Sequence, residues 1–314
     1  MAFKSGVPFD LNRIQKELGI NEKRIRFCKL SEGELKEIYD NYTRNIPTLQ
    51  KIKADILSVL NERLTDKVHS VRGRIKAPDH LIEKIIRNKS EKPSKYEKLN
   101  IDNYNKIITD LIGFRIIILR KTEWRAVHDT LLTIFRNIPD RYAAEGEDIV
   151  KKFDEYANEV KENNKYLENS YHAEKPVAYL TSLDDRELYK DPYLRVDSSK
   201  LHYRSIHYVI RYSDLYFEIQ VRTLFEEGWL EFDHQIKYPY DQKNMRKQEF
   251  LAILNSIVTA ADRLITFYDE DLFLNIQKEP LDCKKEEAHT EENTGASLSG
   301  GSFNDRLFSE FDGR

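Results

Sequence analysis

The chain has 314 residues, of which 40% are hydrophobic and 33% charged, a mixture that suits a globular core beneath a heavily charged surface. Its net charge of −3 excludes a global basic field that would attract nucleic acid, so phosphate binding must come from local basic clusters. Two cysteines, Cys28 and Cys283, are too few for a disulfide framework or a cysteine-based zinc site. Since the sequence shows no signal peptide and no run of roughly 18 apolar residues, we expect a cytoplasmic protein with free thiols and no membrane partner.

The first 66 residues are predicted to form an N-terminal helical brace. Ser31 and Glu34 make an S-x-x-E capping box, which satisfies exposed amide groups where a helix begins. Apolar residues at helical spacing continue to about residue 63. They predict either one long helix or two helices joined near Pro47, where the proline bends or restarts the element.

A second domain is predicted at residues 67–240, and it begins with a basic strand. From residue 68, apolar and basic side chains alternate, which predicts a strand with Arg72, Arg74 and Lys76 on one face. Pro78 then opens an amphipathic helix that runs to about residue 88, and a polar loop follows to residue 98.

The run GFRIIIL, residues 113–119, predicts a central strand, because it is apolar on both faces and rich in β-branched residues. A short helix at residues 103–109 precedes it, and amphipathic helices are predicted at 122–137 and 145–168. Residues 176–200 are irregular, with short strands.

A hairpin is predicted from two strands, residues 203–212 and 215–223, with a tight turn at Ser213 and Asp214. Because helices alternate with strands but a hairpin is also present, we predict an α+β fold with a mixed β-sheet flanked by helices. Helices at 224–235 and, within an extension at 241–277, from residue 245 to about 273 complete the ordered part. The polar segment 278–314 is predicted to be a disordered tail, since it offers little apolar surface to bury.

The second hairpin strand carries the most informative pattern. Side chains alternate along a strand, so Glu218, Gln220 and Arg222 share one face. A carboxylate, an amide and a guanidinium in one row can hold a metal, a base or sugar, and a phosphate. An ordinary solvated strand face with a Glu–Arg pair is the alternative. The partner strand favours a binding site over a solvated face, because correct pairing would place Ser205 and His207, together with Tyr203, beside this row.

Asp110 immediately precedes the central strand, where a carboxylate is well placed to bind Mg²⁺. Mg²⁺ takes one or two carboxylates and completes its shell with phosphate oxygens and water, so Asp110 and Glu218 could share one ion. Asp110 as a plain loop residue is the competing interpretation. Five cations are predicted around the same sheet edge, and a triphosphate would relieve their repulsion. They are Arg74, Lys76, Lys84, Arg87 and Arg115.

Four ordered motifs between residues 72 and 238 resemble the synthetase domain of the RelA/SpoT alarmone synthetases. They are R-x-K-x-P at residues 74–78, D-L-I-G-F-R at 110–115, H-Y-R-S-I-H at 202–207 and E-I-Q-V-R-T at 218–223, the last followed by an acidic helix ending in His234. The resemblance implies a nucleotidyltransferase-like domain. It also implies transfer of the β,γ-pyrophosphate of ATP to the 3′-hydroxyl of GDP or GTP, with release of AMP.

The resemblance further implies a role for each matching residue. Asp110 and Glu218 would hold Mg²⁺, and Glu218 would help to deprotonate the attacking ribose hydroxyl. Tyr203 would stack on the acceptor guanine. The expected ATP ligands are Arg74, Lys76, Lys84 and Arg115, and the other expected acceptor ligands are Ser205, His207, Gln220 and Arg222.

The acceptor motif departs from the family pattern, since His202 replaces the usual Gly and Arg204 the usual Gln. This cationic change leaves the 3′ end of tRNA as an alternative acceptor, as in toxic members of the family, with an antitoxin or a homo-oligomer as partner. An inactive module that senses nucleotides is a third possibility. The companion hydrolase motif is absent, so we expect synthesis without hydrolysis.

Overall fold

The described strands form one mixed sheet, which confirms the predicted α+β fold. This computed structural model describes residues 7–135, 170–199, 202–237 and 244–268, all within one structural unit, Met1–Phe273. The strands are β1 (Ser70–Ile75), β2 (Ile112–Ile118), β3 (Ser170–His172), β4 (Val177–Leu180), β5 (Arg195–Ser198), β6 (Ser205–Tyr212) and β7 (Leu215–Thr223). Their order is β1-β2-β7-β6-β4-β5, and β3 pairs with β6. The β2–β7 and β4–β5 pairs are parallel, and the other pairs are antiparallel.

Helices surround this sheet. They are α1 (Leu11–Leu18), α2 (Glu22–Cys28), α3 (Glu32–Leu64), α4 (Pro78–Glu91), α5 (Pro93–Tyr96), α6 (Tyr104–Ile107), α7 (Trp124–Ile134), α8 (Leu224–Lys237) and α9 (Met245–Phe267). The short α5 corrects the predicted loop at residues 88–98. The predicted helix at 145–168 and the tail at 278–314 lie outside the described residues.

Helix α3 begins as the capping box predicts. The Glu34 amide donates to Ser31 Oγ at 3.2 Å, and the Ser31 amide donates to Glu34 Oε2 at 2.8 Å. Pro47 lies inside α3, which continues as one helix to Leu64, so the single-helix alternative is correct. Tyr42 donates from its hydroxyl to the backbone oxygen of Lys76 at 2.7 Å. Helix α3 therefore fixes the backbone at Lys76, which is a predicted ATP ligand.

The two faces of the sheet differ in chemistry because side chains alternate along each strand. One face packs with α3 and α7 into the main core, through buried residues such as Phe114, Tyr208, Phe217 and Ile219. The opposite face carries the polar residues of β2, β6 and β7. Helix α8 packs against β2 and β7 and leads on to α9. The candidate site lies on this polar face.

Helix α9 has two contrasting sides. By length and a mean hydropathy of 1.5 over one window, it is the only described helix that could cross a membrane. However, Asn255, Thr259 and Asp262 are buried and hydrogen-bonded to the domain. The outer side exposes large apolar residues, among them Ile257 and Leu264. Packing of its polar side makes α9 a docked helix of this domain.

Candidate active site

A row of polar residues crosses the sheet. The register sets Arg72 opposite Arg115, Arg115 opposite Gln220, and Gln220 opposite His207. Glu218 lies two residues before Gln220 on β7 and therefore shares its face. The arginines of β1 and β2 and the polar side chains of β6 and β7 thus form one continuous surface on this face of the sheet.

Glu218, His207 and Tyr203 form a hydrogen-bonded chain. His207 Nδ1 lies 2.5 Å from Glu218 Oε1, and His207 Nε2 lies 2.5 Å from the Tyr203 hydroxyl. One histidine tautomer satisfies both contacts, with Nδ1–H donating to Glu218 and Nε2 accepting from Tyr203. Burial raises the pKa of the Glu218 carboxyl, but the hydrogen bond from His207 and the positive charges nearby, Lys84 among them, outweigh burial and leave that pKa below its ordinary value. Glu218 is therefore ionised at neutral pH.

Tyr203 precedes β6, which begins at Ser205, so the predicted strand started two residues too early. The side chain nevertheless reaches the polar face, because the Arg222 guanidinium lies 5.8 Å from the centre of its ring. Arg222 is fully buried and donates to Gln220. Ser205 is also buried, and its hydroxyl donates to the backbone oxygen of Val221 at 3.3 Å.

Asp110 lies between two lysines. Lys76 Nζ is 2.9 Å and Lys84 Nζ 2.8 Å from Oδ2 of Asp110. Burial acts to raise the pKa of Asp110, but the two ammonium charges and their hydrogen bonds lower it to about 2. The other oxygen, Oδ1, is buried and has no hydrogen-bond partner among the described residues. A buried carboxylate oxygen of this kind normally has a partner, so Asp110 can accept one further ligand.

Asp110 and Glu218 lie in one electrostatic neighbourhood. The charge of Asp110 and that of Lys84 both act on the pKa of Glu218. In the described part of the chain, no group of three or more His, Cys, Asp or Glu side chains is placed to hold a metal ion. A pair of carboxylates with one open oxygen suits Mg²⁺, which needs only one or two protein ligands of this type. The donor set therefore fits Mg²⁺ better than zinc, which takes four protein ligands in structural sites and three in catalytic ones.

The acidic start of α8 neutralises the arginines of the site. Arg115 Nη1 lies 2.6 Å from Glu227 Oε1 and 2.7 Å from Glu231 Oε1. Glu227 also pairs with Arg222 at 3.3 Å. These pairings correct the sequence interpretation of uncompensated cations that require a bound anion. Sequence reasoning missed both carboxylates, because more than 100 residues separate them from Arg115.

The remaining predicted cations lie at the β1 edge. Arg74 is exposed, and its side chain lies over Gly113, with Nε 3.6 Å from the position that a Cβ would take there. Gly113 is the register partner of Glu218, so Arg74 extends towards that carboxylate. Arg87 instead pairs with buried Glu83 on its own helix, at 3.2 Å.

Tyr179 on β4 is a site residue that sequence reasoning missed. Its ring centre lies 5.0 Å from that of His207 and 6.1 Å from that of Tyr203, both edge to face. The short apolar run Val177–Leu180 was the available signal. Tyr179 closes the polar surface on the side away from Asp110.

Comparison with known families decides the identity of the domain. The family described as "Region found in RelA / SpoT proteins" matches residues 73–243, more than half of the chain. The chain belongs to the RelA/SpoT family. This confirms the resemblance drawn from the four motifs, and it supports a pyrophosphotransferase of the alarmone synthetase type.

Among solved structures, the RelA/SpoT chain is similar to several synthetases at low identity. Small alarmone synthetase 1 from Bacillus subtilis shares 15% identity over 76% of this chain and 100% of its own, with a TM-score of 0.48. A GTP pyrophosphokinase family protein from Streptococcus pneumoniae shares 16% over 80% and 100%, with a TM-score of 0.46. The Bacillus subtilis enzyme bound to pppGpp shares 17% over 74% and 94%, with a TM-score of 0.43. No curated protein matches the chain by sequence.

Proposed function

We propose that this RelA/SpoT protein transfers the β,γ-pyrophosphate of ATP to the 3′-hydroxyl of GDP or GTP and releases AMP. The observation that carries the proposal is the open, buried Oδ1 of Asp110, in the same electrostatic neighbourhood as ionised Glu218 and beside four cations. In a purely structural ion pair a buried second oxygen normally has a hydrogen-bond partner in the protein, whereas a site for a metal and phosphates needs one oxygen to remain available. We place the reaction in the cytoplasm, where both nucleotides are present.

Asp110 and Glu218 are the residues that would hold Mg²⁺. Held by these two carboxylates, Mg²⁺ would supply positive charge that neutralises the charge developing during transfer. The low pKa values of both carboxyls suit this role, since both remain ionised at neutral pH. The same low pKa makes Glu218 a weak base. Its expected part in deprotonating the ribose hydroxyl is therefore the smaller of its two roles.

Four cations form the ATP side. Lys76 and Lys84 already contact the oxygen of Asp110 that faces away from the open position. Arg74 lies on β1, two residues before Lys76, and Arg115 lies on the neighbouring strand β2. Because no nucleophile of the protein is needed for direct attack by a hydroxyl group, these residues act by positioning and by neutralising charge.

The acceptor side is the surface around Tyr203. We propose that the Tyr203 ring stacks on the acceptor guanine, as aromatic rings do with unpaired bases. His207 and Gln220 would bond the base edge or sugar, with Ser205 and Arg222 supporting them from buried positions. The link from Tyr203 through His207 to Glu218 connects the base platform with the proposed metal ligand.

Two replacements in the acceptor motif, His202 and Arg204, are the basis of the tRNA alternative. His202 is exposed, but the Arg204 guanidinium is buried and bonded to Asp184, Asn255, Thr181 and Thr259. Its charge is compensated inside the domain and does not face the acceptor. We therefore propose a guanine nucleotide as acceptor and keep tRNA as a test substrate.

Label transfer tests the proposal directly. The protein is incubated with ATP labelled in its terminal phosphates, Mg²⁺, and either GDP, GTP or deacylated tRNA. We expect labelled guanosine 3′-pyrophosphate and equimolar AMP, and we expect Glu218→Gln to reduce the rate by several orders of magnitude. Labelling of tRNA alone would move the activity to the toxin class. No transfer to any acceptor would favour a nucleotide-sensing module.

A further inference from the structure

The segment that carries Tyr203 is held from outside the region that defines the family. The family match ends at residue 243, and α9 begins at Met245. Tyr203 itself precedes β6, so sheet pairing does not fix it. Its ring packs against a cluster of three buried residues, Trp229 and Leu230 of α8 and Val258 of α9. Trp229 also donates from Nε1 to the backbone oxygen of Leu251 at 2.9 Å, which joins α8 to α9.

The residue before Tyr203 has an unfavourable backbone conformation. His202 has a φ of 66°, in the left-handed region that favours glycine. The resemblance to the family places a glycine at this position. Asn255 of α9 lies 3.3 Å from His202, between Nδ2 and Nδ1. A residue of α9 thus contacts the one position of the acceptor motif where a side chain costs backbone energy.

The residue after Tyr203 is bound by the same helix. Arg204 donates from Nη1 to Asn255 Oδ1 at 2.8 Å and from Nη2 to Thr259 Oγ1 at 2.5 Å. Arg204 also donates from Nε to Asp184 Oδ2 at 2.8 Å and from Nη2 to Thr181 Oγ1 at 3.2 Å. Since Arg204 is 5% exposed, these bonds exchange little with water.

We infer that α9 positions Tyr203 for the acceptor, with Asn255 and Thr259 as positioning residues that hold the two neighbours of Tyr203 in place. The inference rests on the proposed role of Tyr203 in acceptor binding. Its physical basis is that α9 binds the residues on both sides of Tyr203, His202 and Arg204, and contributes to the apolar cluster against which the Tyr203 ring packs. The ATP side, on β1, β2 and α4, makes no use of these bonds. Acceptor binding should therefore depend on α9 while ATP binding does not.

Paired substitutions on α9 test this selectivity. Asn255→Leu removes both contacts, whereas Asn255→Asp retains an acceptor oxygen for Arg204. Thr259→Val removes the second acceptor with little change in shape, and Thr259→Ser restores it. Ser256→Ala is the matched control, because Ser256 is exposed on the same helix and, among the described residues, its hydroxyl bonds only to the backbone oxygen of Ala252. Initial rates of AMP release are measured against GDP at saturating ATP, and against ATP at saturating GDP.

We expect Asn255→Leu to raise the KM for GDP by about ten-fold, since it removes a hydrogen bond to a charged group. The KM for ATP and the kcat should stay within about two-fold, and Asn255→Asp and Thr259→Ser should recover most of the loss. An unchanged KM for GDP in Asn255→Leu and Thr259→Val would overturn the inference. So would a fall of kcat and of thermal stability with both KM values unchanged, which indicates general unfolding rather than a misplaced Tyr203. If wild-type protein turns over no acceptor, the proposed function fails instead.

Discussion

Two aspartates in this protein, Asp110 and Asp184, are each bound by two cations, but only Asp110 keeps a carboxylate oxygen that has no hydrogen-bond partner among the described residues. Asp110 receives Lys76 and Lys84 on the same oxygen, and its other oxygen has no hydrogen-bond partner among the described residues. Asp184 receives Lys121 on Oδ1, at 2.5 Å, and Arg204 on Oδ2, at 2.8 Å. The Asp184 side chain has no exposed surface, whereas that of Asp110 is 14% exposed.

The pKa of both carboxyls is lowered to about 2, because in each case two cations outweigh burial. Titration alone therefore cannot distinguish a site from a structural ion pair. The distinction lies in the second oxygen. Asp184 also accepts from the amide and the hydroxyl of Thr181, so its capacity is filled by the protein. Asp110 retains capacity for a ligand, and the two residues should respond differently to the same substitution.

The largest expected effect is loss of activity in Asp110→Asn. A neutral amide is a weaker Mg²⁺ ligand than a carboxylate and brings no negative charge to the ion, so we expect AMP release to fall by about 10³-fold. The free energy of unfolding should change far less than in the equivalent change at Asp184. Rates with ATP and GDP and urea unfolding curves measure the two quantities. A rate within about ten-fold of wild type would contradict the assignment of Asp110 to the site.

The second largest effect is loss of stability in Asp184→Asn. It leaves buried Arg204 without its carboxylate partner and Lys121 with only Glu226, 3.6 Å away, which we expect to cost about 3–5 kcal/mol in urea unfolding. Asp197→Asn is the control, since its pair with Arg195 is exposed and should contribute less than about 1 kcal/mol. Equal unfolding midpoints for the two variants would contradict a structural role for Asp184.

The third effect is a pH dependence of the free energy of unfolding that comes from buried Asp262. Burial and the nearby charge of Glu226 raise the pKa of Asp262 to about 7. The pKa of Asp262 is higher in the folded than in the unfolded protein, so its protonation adds to the free energy of unfolding. This contribution is fully present below about pH 4 and is lost as the pH rises through about 7. Asp262→Asn should abolish this loss. The free energy of unfolding of the variant, relative to that of wild type, should therefore rise by about 2 kcal/mol from about pH 5 to about pH 8. Urea unfolding at both pH values measures it, with exposed Asp214→Asn as control. A difference independent of pH would refute the assignment.

Local patterns in the sequence were sufficient for the elements that determine the site. The Ser31–Glu34 capping box and the alternation around Glu218 each depend on neighbouring residues, so α3 and the polar face of β7 could be predicted from short windows. The pairing of Arg204 with α9 could not be predicted, because it joins residues 51 positions apart in the chain. Nothing in the sequence near Arg204 indicates that its guanidinium is buried.

The smallest effect concerns a residue on a strand too short to be recognised. β4 has four residues, which gives too few alternations to separate a strand from a loop, so Tyr179 was not identified from the sequence. Its ring meets those of Tyr203 and His207 edge to face, an arrangement that contributes about 0.5–1.5 kcal/mol beyond burial. Tyr179→Leu should therefore raise the KM for GDP by about three-fold and leave the KM for ATP unchanged. Tyr179→Phe retains the ring and should behave as wild type. If Tyr179→Phe and Tyr179→Leu raise the KM for GDP equally, the hydroxyl rather than the ring is responsible, and Tyr179 contacts the acceptor itself.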